Sequence, residues 1–427
     1  MADSIGQGRN GTETVTISTV DSRWTAAGTD SIRPGFALTV IAISTLLSMS
    51  VWFSASFVVP QLRVEWGLSS GQSSLLTIAV QLGFVVGALA SAATGLADRF
   101  SGRFLICVGA LGAGAANLAL LFASGLAAAL PLRMMTGFFL AAVYPPALKE
   151  VSTWFQAGRG KALGVMIGAL TVGSALPHMV NVFGDLDWHV VIATTSLLTA
   201  AGGGLILLLR HPGPYPFPQR PFSFASAFGS LRNRDVVLAN LGYMGHMWEL
   251  YAMWAWVGAF ILSLPGIAAS SRPEAVASIL AFCCIGVGAF GCLVGGYLSD
   301  RLGRAKAAFV CLVASGGAAL VLGVSYSILP TYAVLVICLF WGFWVIADSA
   351  QFSALVTERA DPSYIGGALS MQLAFGYLTT TITLWLVPTL VARGGWHQAL
   401  IVLALGPVVG AISMRMAIAR DNGRAAA

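Results

Sequence analysis

Gly296-Tyr297-Leu298-Ser299-Asp300-Arg301-Leu302-Gly303-Arg304 joins two strongly apolar stretches in the second half of the chain. A variant of this loop, Thr94-Gly95-Leu96-Ala97-Asp98-Arg99-Phe100-Ser101-Gly102-Arg103, joins two apolar stretches in the first half. The two aspartates are separated by 300 − 98 = 202 residues, close to half of the 427-residue chain. Duplication on this scale is typical of secondary transporters. The repeat therefore predicts a membrane protein built from two related halves.

Composition points to the same class of protein. The chain is 57% hydrophobic and 9% charged, and its mean hydropathy is +0.81. An average soluble domain has roughly 25% charged residues. The charges of this chain are too few to cover the surface of a soluble protein of this length, so lipid is the expected solvent.

Apolar stretches of about 20 residues are long enough to cross a bilayer as helices. The sequence contains twelve candidates, which predict an all-α integral membrane protein with two pseudo-symmetric six-helix bundles. Their approximate bounds are 36–59, 73–97, 104–124, 128–148, 161–183, 189–209, 236–262, 275–297, 307–326, 331–357, 364–391 and 396–418.

Basic residues give the expected orientation. If the N-terminus is cytoplasmic, nearly all Lys and Arg fall in inner loops and tails, and only Arg63, Arg272 and Arg393 fall outside. The positive-inside rule then selects a multi-pass protein of the cell inner (plasma) membrane with both termini cytoplasmic. The net charge of +6 follows from this bias and requires no nucleic-acid partner.

The domain organisation follows from the spans and from the polar segments between them. We expect a disordered cytoplasmic tail at 1–33, which is rich in Ser, Thr and Gly and lacks the apolar core of a signal peptide. A Pro-rich, basic segment is expected to link the halves along an anionic membrane surface. The remaining bounds are 34–209 for the first bundle, 210–235 for this linker, 236–418 for the second bundle and 419–427 for a cytoplasmic tail.

With twelve helices, a basic central loop and the repeated loop signature, the chain resembles the major facilitator superfamily over about residues 36–418. The 296–304 copy follows the family pattern Gly-x-Leu-Ser-Asp-Arg-x-Gly-Arg position by position, whereas Thr94 replaces the leading glycine of the first copy and an extra residue precedes Gly102. Arg133-Met134-Met135-Thr136-Gly137 is similar to the family's Arg-x-x-x-Gly element. Residues 154–177 resemble bacterial nitrate/nitrite and cyanate permease-like members.

The resemblance implies alternating access, with the two loops latching the cytoplasmic side in one conformer. Contacts made in one state and broken in another bias the equilibrium between them. An ordinary solvated loop is the alternative for each copy. The implied gating residues are Asp98, Arg99, Arg103, Gly296, Asp300, Arg301, Gly303 and Arg304.

Two acids lie deep in predicted helices, Glu249 in the seventh and Asp348 in the tenth. A carboxylate near the bilayer centre costs roughly 2.5–3.5 kcal/mol on insertion scales, so such groups are usually functional. His246, one turn before Glu249, is able to share a proton with it. The resemblance implies that these helices line the central path, and Asp348 has the alternative of pairing with Arg359.

Arg133 lies within the fourth predicted helix, whereas the other basic residues are expected in loops, tails or helix ends. It could bind an anion, take part in proton coupling as the resemblance implies, or extend its side chain towards the interface. The expected substrate-binding residues are mainly aromatic side chains near the middle of the first, seventh and tenth helices. They are Trp52, Trp248, Tyr251, Met253, Trp254, Trp256, Trp344 and Gln351.

These residues predict a secondary active transporter of a small organic solute. An aromatic, acidic cavity suits a neutral or cationic compound through apolar and cation–π contacts, with exchange for protons at Glu249, Asp348, His246 and Arg133. The alternative is proton-coupled uptake of a small organic or inorganic anion held by Arg133. The resemblance implies that nitrate-type members would bind their anion through arginines of the second and eighth helices. These two helices contain no Lys or Arg here, which argues against nitrate.

Other classes of protein receive less support from the sequence. No nucleophile–base set or metal-ligand spacing indicates an enzyme or a metal site, and the Walker A motif of ATP-driven proteins does not occur. We therefore expect no cofactor, and a small molecule, protons and the bilayer as the partners of a monomer. A transporter-like sensor without flux is a distant alternative, since neither tail resembles a signalling domain.

Overall fold

A computed structural model describes residues 33–155, 159–180, 187–215, 228–361 and 365–426 of the chain. These residues form helices and short connections, and no strand occurs among them. The described residues from Pro34 onward form one compact unit. The helices of the first half are α1 (Pro34–Ser48), α2 (Ser54–Phe57), α3 (Val59–Glu65), α4 (Ser70–Thr94), α5 (Leu96–Arg99), α6 (Gly102–Leu118), α7 (Leu126–Leu140), α8 (Tyr144–Trp154), α9 (Arg159–Val180) and α10 (Trp188–Leu205).

The second half repeats this pattern of long helices joined by short loops. Its last helical segment consists of two helices that meet at a sharp turn at Gly395, where φ is 72°. The helices are α11 (Arg234–Leu262), α12 (Pro265–Ala268), α13 (Pro273–Gly286), α14 (Gly288–Leu302), α15 (Arg304–Ser325), α16 (Thr331–Val345), α17 (Ser349–Arg359) and α18 (Ile365–Ala426).

The number of crossings agrees with the sequence. Ten helical segments within the described ranges are long and apolar enough to cross a membrane. One of them, 367–424, includes the turn at Gly395 and is long enough for two crossings. α11 is not among the ten, because His246 and Glu249 lower its mean hydropathy. Its 29 residues are nevertheless long enough for a crossing at about 1.5 Å per residue. The described ranges thus contain twelve segments able to cross the bilayer.

Several spans are broken near their middle. The first passes through a 3-10 turn at Met49–Val51 and leaves the helix at Trp52 and Phe53. The fourth stops at Leu140 and restarts at Tyr144, with prolines in the first turn of the new helix. The tenth is interrupted between Val345 and Ser349. Non-helical backbone at this depth is tolerated where it is buried in protein, and it often forms binding sites.

Close helix contacts depend on small residues. A Cβ added at Gly83 or Gly137 would overlap the main chain of the facing helix, so α4 and α7 pack backbone to backbone at these positions. The first and sixth spans are joined by hydrogen bonds from Ser44 to the Gly202 carbonyl (2.7 Å) and from Ser50 to the Thr195 carbonyl (3.0 Å). Small and hydroxylated residues are typical of helix interfaces in membranes.

We use the term basic face for the helix ends that carry the two loop copies. It includes Arg103 and Arg304. The two loop copies differ there: Gly95 ends α4 in the left-handed region (φ 64°), whereas α14 continues through Asp300 and the left-handed residue is Gly303 (φ 86°). Gly95 takes the place of Tyr297 in the second copy, which allows the left-handed turn at this earlier position, and Ser101 then caps α6 by accepting from the Phe104 amide.

The predicted boundaries at the ends of the bundles differ slightly from the structure. α11 begins at Arg234, inside the predicted linker. α18 runs to Ala426, through the segment predicted as a tail, because Asp235 binds Arg420 and Arg424 at 2.6 Å each. The predicted tail at 1–32 and linker residues 216–227 lie outside the described residues.

Candidate functional site

An aromatic cluster lies where the two halves meet. Phe84 contacts Tyr377 with ring centroids 4.5 Å apart, and Trp52 contacts Tyr251 and Tyr377 at 5.7 Å each. All of its members are at most 3% exposed. The aromatic cluster consists of Trp52, Phe53 and Phe84 from the first half and Tyr251, Trp254 and Tyr377 from the second half.

Two tyrosines of the second half and Phe53 of the first half complete the contacts of the cluster. The hydroxyl groups of Tyr251 on α11 and Tyr377 on α18 are 3.0 Å apart and share a hydrogen bond. Phe53 contacts Tyr251 at 5.9 Å and Trp254 at 6.1 Å. Aromatic pairs at such distances are stabilising beyond their buried area. The cluster therefore holds the halves together and fills the space between them.

Arg133 positions the part of the cluster that comes from the first span. Its guanidinium is fully buried and donates to the carbonyl of Trp52 (2.8 Å), the carbonyl of Val51 (3.2 Å), the carbonyl of Leu76 (3.2 Å) and Oδ1 of Asn117 (2.8 Å). The break in the first span frees the Val51 and Trp52 carbonyls, and a cation is favourable at a helix C-terminus. Arg133 thus stabilises the break that brings Trp52 into the cluster.

Some polar atoms of the cluster have no partner. Within the described residues, the indole nitrogens of Trp52 and Trp254 make no hydrogen bond, although each residue is 1% exposed. The same holds for both amide atoms of Gln81, which is fully buried one helical turn before Phe84. Buried polar groups are nearly always paired in proteins, so each of these calls for an explanation.

Glu249 lies inside the second half. Ser315 on α15 donates to Oε2 of Glu249 at 2.8 Å, and the indole of Trp341 on α16 donates to Oε1 at 2.8 Å. Glu249 as a whole is 1% exposed, so its carboxyl group is buried. Its orientation differs from the expectation that it faces the path between the halves, because both bonding partners belong to its own bundle.

His246 and Asp348 form a second buried polar site. Nδ1 of His246 lies 2.8 Å from Oδ1 of Asp348, and Nε2 lies 3.1 Å from the hydroxyl of Ser349. Asp348 is at the break of the tenth span, directly before α17. The alternative pairing of Asp348 with Arg359 is not formed, since Arg359 binds Asp421 at 2.6 Å.

The structure brings only three of the eight expected substrate-binding residues into the aromatic cluster: Trp52, Tyr251 and Trp254. Trp248 donates to the Val402 carbonyl at 3.0 Å, and the ring of Trp344 contacts Phe343 at 5.2 Å. Met253 is buried and Trp256 is half-buried.

Gln351, another expected substrate-binding residue, instead lies against the basic face. Its amide donates to the Gly295 carbonyl at 3.3 Å, and its Oε1 accepts from Arg304 at 3.4 Å. This position follows from the break at Asp348, which places α17 against the end of α14. Gln351 therefore connects the tenth span to the loop signature.

The final arginine of each loop copy pairs with a glutamate on the span that follows in the same half. Arg304 binds Glu358 at 3.0 Å and the Ser299 hydroxyl at 3.0 Å. Arg103 lies 3.9 Å from Glu150 and donates to the Leu209 carbonyl at 2.5 Å. These contacts brace each half at the basic face rather than linking one half to the other.

The other expected gating residues are more exposed. Asp300 and Arg99 face solvent, and Arg301 lies over the Tyr297 ring at 4.5 Å. Gly303 supplies the left-handed turn before α15, and Gly296 lies within α14. The side chain of Asp98 is outside the part of the structure that is described.

Several residues of these sites were not expected from the sequence. Phe53, Phe84 and Tyr377 are single aromatic side chains that no sequence pattern singled out, and Ser315 is one hydroxyl among many. Gln81 is a large polar side chain near the middle of the second span, which is a signal that sequence reasoning could have used. Among the described residues, no group of three or more His, Cys, Asp or Glu is arranged to hold a metal ion.

Comparison with known proteins supports one family. A sequence model of the Major Facilitator Superfamily matches residues 41–378. Two fungal proteins are each 26% identical to parts of this chain. The MFS transporter asaE of Aspergillus flavus matches over 56% of this chain and 54% of its own length. The agnestins efflux protein AgnL12 of Paecilomyces divaricatus matches over 52% and 50%.

The chain thus spans about half the length of the curated relatives it matches. A solved D-xylose-proton symporter has the same fold, with a TM-score of 0.68 and 17% identity over 88% of this chain and 96% of the symporter. The family model covers most of the chain, and the twelve segments able to cross the bilayer fit the fold of this structure. The chain belongs to the Major Facilitator Superfamily, and its described residues include the apolar helices of a multi-pass membrane protein.

Proposed function

We propose that this protein is a proton-coupled secondary transporter that exchanges protons for a neutral or cationic small organic compound. The observation that carries the proposal is the buried carboxyl group of Glu249, whose two oxygens accept hydrogen bonds from the neutral donors Ser315 and Trp341. A carboxyl group held in this way at membrane depth is costly to keep ionised. Proton binding is the direct way to remove that cost.

Protonation of Glu249 is linked to the position of neighbouring helices. A proton on either oxygen turns an acceptor into a donor and weakens the bond from Trp341 or Ser315. These bonds join α11 to α15 and α16, so the proton changes the relative stability of two arrangements of the second bundle. By linkage, a substrate that prefers one arrangement then changes the affinity for the proton.

His246 and Asp348 supply a second proton-binding pair in the same bundle. They connect α11 to the break in the tenth span at 2.8 Å. Movement of a proton between them would alter this connection while Glu249 keeps its own partners. We assign Glu249 the principal coupling role, because Glu249 ties three helices together.

Export is the favoured direction. One matching relative is described as an efflux protein, and the aromatic cluster suits compounds with apolar faces. The rival proposal, uptake of an anion anchored by Arg133, loses its anchor because this guanidinium already binds Trp52, Val51, Leu76 and Asn117. The likeness of residues 154–177 to bacterial nitrate and cyanate permeases therefore does not extend to substrate in this proposal.

We further propose a membrane location, an orientation and a monomeric state for the protein. The basic residues support an inner (plasma) membrane protein with both termini cytoplasmic. The basic face would then be cytoplasmic, and the ion pairs of Arg103 and Arg304 would brace that side. The protein is proposed to act as a monomer, since each half finds its partner within the same chain.

Binding by the purified protein at pH 5.5 and pH 8 tests the coupling. The probes are 7-methoxycoumarin (neutral), ethidium (cationic), benzoate and nitrate, and calorimetry gives the affinity of each. We expect 7-methoxycoumarin or ethidium to bind with pH-dependent affinity, and Glu249→Gln to remove most of that dependence. Asp187→Asn, at an exposed acid, is the control. Binding of benzoate or nitrate alone, or a pH dependence unchanged in Glu249→Gln, would overturn the proposal.

A further inference from the structure

We infer that the aromatic cluster is the binding site for a neutral, planar compound that carries hydrogen-bond acceptors such as carbonyl or ether oxygens. This inference rests on the proposed function and narrows its substrate class. It depends on three features of the cluster: flat rings facing each other across the halves, buried donors without partners, and a positive charge directly behind one wall.

The rings define the shape of the ligand. Centroid distances across the halves range from 4.5 Å for Phe84 and Tyr377 to 6.1 Å for Phe53 and Trp254. Alternating access requires the halves to separate here, and this breaks the ring contacts. A planar ligand restores them, because each of its faces stacks on rings of one half. A compound without flat faces would leave these rings without partners.

The unpaired donors define the polar groups of the ligand. The indole N–H groups of Trp52 and Trp254 are buried and find no acceptor among the described residues. Both rings contact Tyr251, at 5.7 and 5.5 Å, so the two indoles lie beside the same tyrosine ring. An indole N–H is a donor only, and a buried one ordinarily has a partner. Ligand oxygens would supply the missing acceptors.

Gln81 adds a third polar contact on the side of the first half. It precedes Phe84 by three residues on α4, so both side chains lie on the same face of the helix. Neither amide atom has a partner in the described ranges, although the residue is fully buried. The amide offers two donors and one acceptor. The cluster thus presents more donors than acceptors, which favours carbonyl and ether groups over the many hydroxyls of a sugar.

The charges around the cluster favour a neutral ligand. Arg133 donates to the carbonyl of Trp52 at 2.8 Å, so a full positive charge lies directly behind this wall and repels a cation. An anion has no open cation to bind, since the guanidinium is held by its protein acceptors. The carboxyl group of Glu249 is occupied by Ser315 and Trp341. The cluster is therefore expected to bind neutral compounds and not the cationic ones that the proposed function also includes.

Ligand pairs and matched variants test the inference on the full-length protein. Calorimetry compares 7-methoxycoumarin with 2-methoxynaphthalene, which has the same flat shape without the lactone group. We expect the coumarin to bind at least tenfold more tightly. Trp52→Phe and Trp254→Phe keep a ring and remove one donor, and each should weaken coumarin binding about five- to tenfold. Neither should change the affinity for the naphthalene by more than about twofold.

The control variant is Trp66→Phe, the same substitution outside the cluster, where the ring contacts Trp188 at 5.9 Å. It should leave coumarin affinity within about twofold of the unmodified protein. Equal coumarin affinity in Trp52→Phe, Trp254→Phe and Trp66→Phe would overturn the inference, and so would the absence of coumarin binding. Binding of ethidium alone, with pH dependence lost in Glu249→Gln, would overturn this inference and leave the proposed function standing.

Discussion

Replacement of Arg133 is the most demanding test of how this fold is held together. In the structure its guanidinium makes two 2.8 Å hydrogen bonds, to the Trp52 carbonyl and to Asn117. It makes two further bonds of 3.2 Å, to Val51 and Leu76. The Val51 carbonyl also accepts from Ser54 at 2.9 Å. The Trp52 carbonyl therefore depends most on Arg133.

The magnitude follows from these contacts. A hydrogen bond to a charged group contributes about 1.5–3 kcal/mol, so the two short bonds together contribute about 3–6 kcal/mol. Arg133→Met removes them but also removes a buried charge, whose desolvation opposes folding. We expect the free energy of unfolding to fall by about 2–4 kcal/mol. Arg133→Lys should be at least as destabilised, because the ammonium keeps the charge buried and does not span the same acceptors.

Reversible unfolding of the purified protein in mild detergent, followed by tryptophan fluorescence, measures this loss. Arg99→Met, at an exposed arginine of the basic face, is the control and should change stability by less than about 0.5 kcal/mol. Normal stability of Arg133→Lys combined with lost binding of benzoate or nitrate would refute the reasoning. That result would mean that Arg133 holds an anionic substrate instead of the break in the first span.

Two further predictions concern helix packing and the basic face. Gly137→Ala should greatly lower the yield of folded protein, because the new methyl group overlaps the Val80 main chain and neither helix has a flexible side chain there to move. Arg304→Gln should lower stability by about 1 kcal/mol, since the pair with Glu358 is partly exposed and such pairs contribute little. Size-exclusion yield and thermal melting, respectively, measure these effects.

Matched variants make both results interpretable. Gly204→Ala is the control for the glycine, since an added Cβ meets nothing within 4 Å there. Its yield should equal that of the unmodified protein, and an equal yield from Gly137→Ala would contradict the proposed close packing. Arg301→Gln is the control for the arginine, because Arg301 contacts only the Tyr297 ring in the described part of the chain. Identical melting of both arginine variants would mean that the Glu358 pair contributes nothing.

Much of the fold was predictable because hydropathy is a local property. Each crossing requires about 20 apolar residues of its own, so the twelve segments, the two halves and the loop signature were visible without tertiary information. Sequence also placed Glu249 and Asp348 inside the membrane. Segments that depend on distant contacts were less accurate: the end of α18 extends past its apolar stretch because Asp235 holds Arg420 and Arg424.

The site was only partly predictable, because side-chain partners come from distant spans. The polar side chains of α11, His246 and Glu249, contact the tenth span and α15 rather than the first half. The partners of Glu249 are Ser315 and Trp341, and no local pattern relates these three positions. Similarly, Tyr377 joins the aromatic cluster from a span whose sequence carries no signal for it.

The sequence alone thus determined that the chain is a duplicated membrane protein, since apolar length, basic loops and the repeated motif are properties of short segments. Tertiary structure decided what each buried polar group contacts. Arg133 could have bound an anion, a carboxylate or the membrane surface by its sequence. The break in the first span places free carbonyls beside it. A backbone break creates acceptors that no residue type records, and only the packed fold reveals where they are.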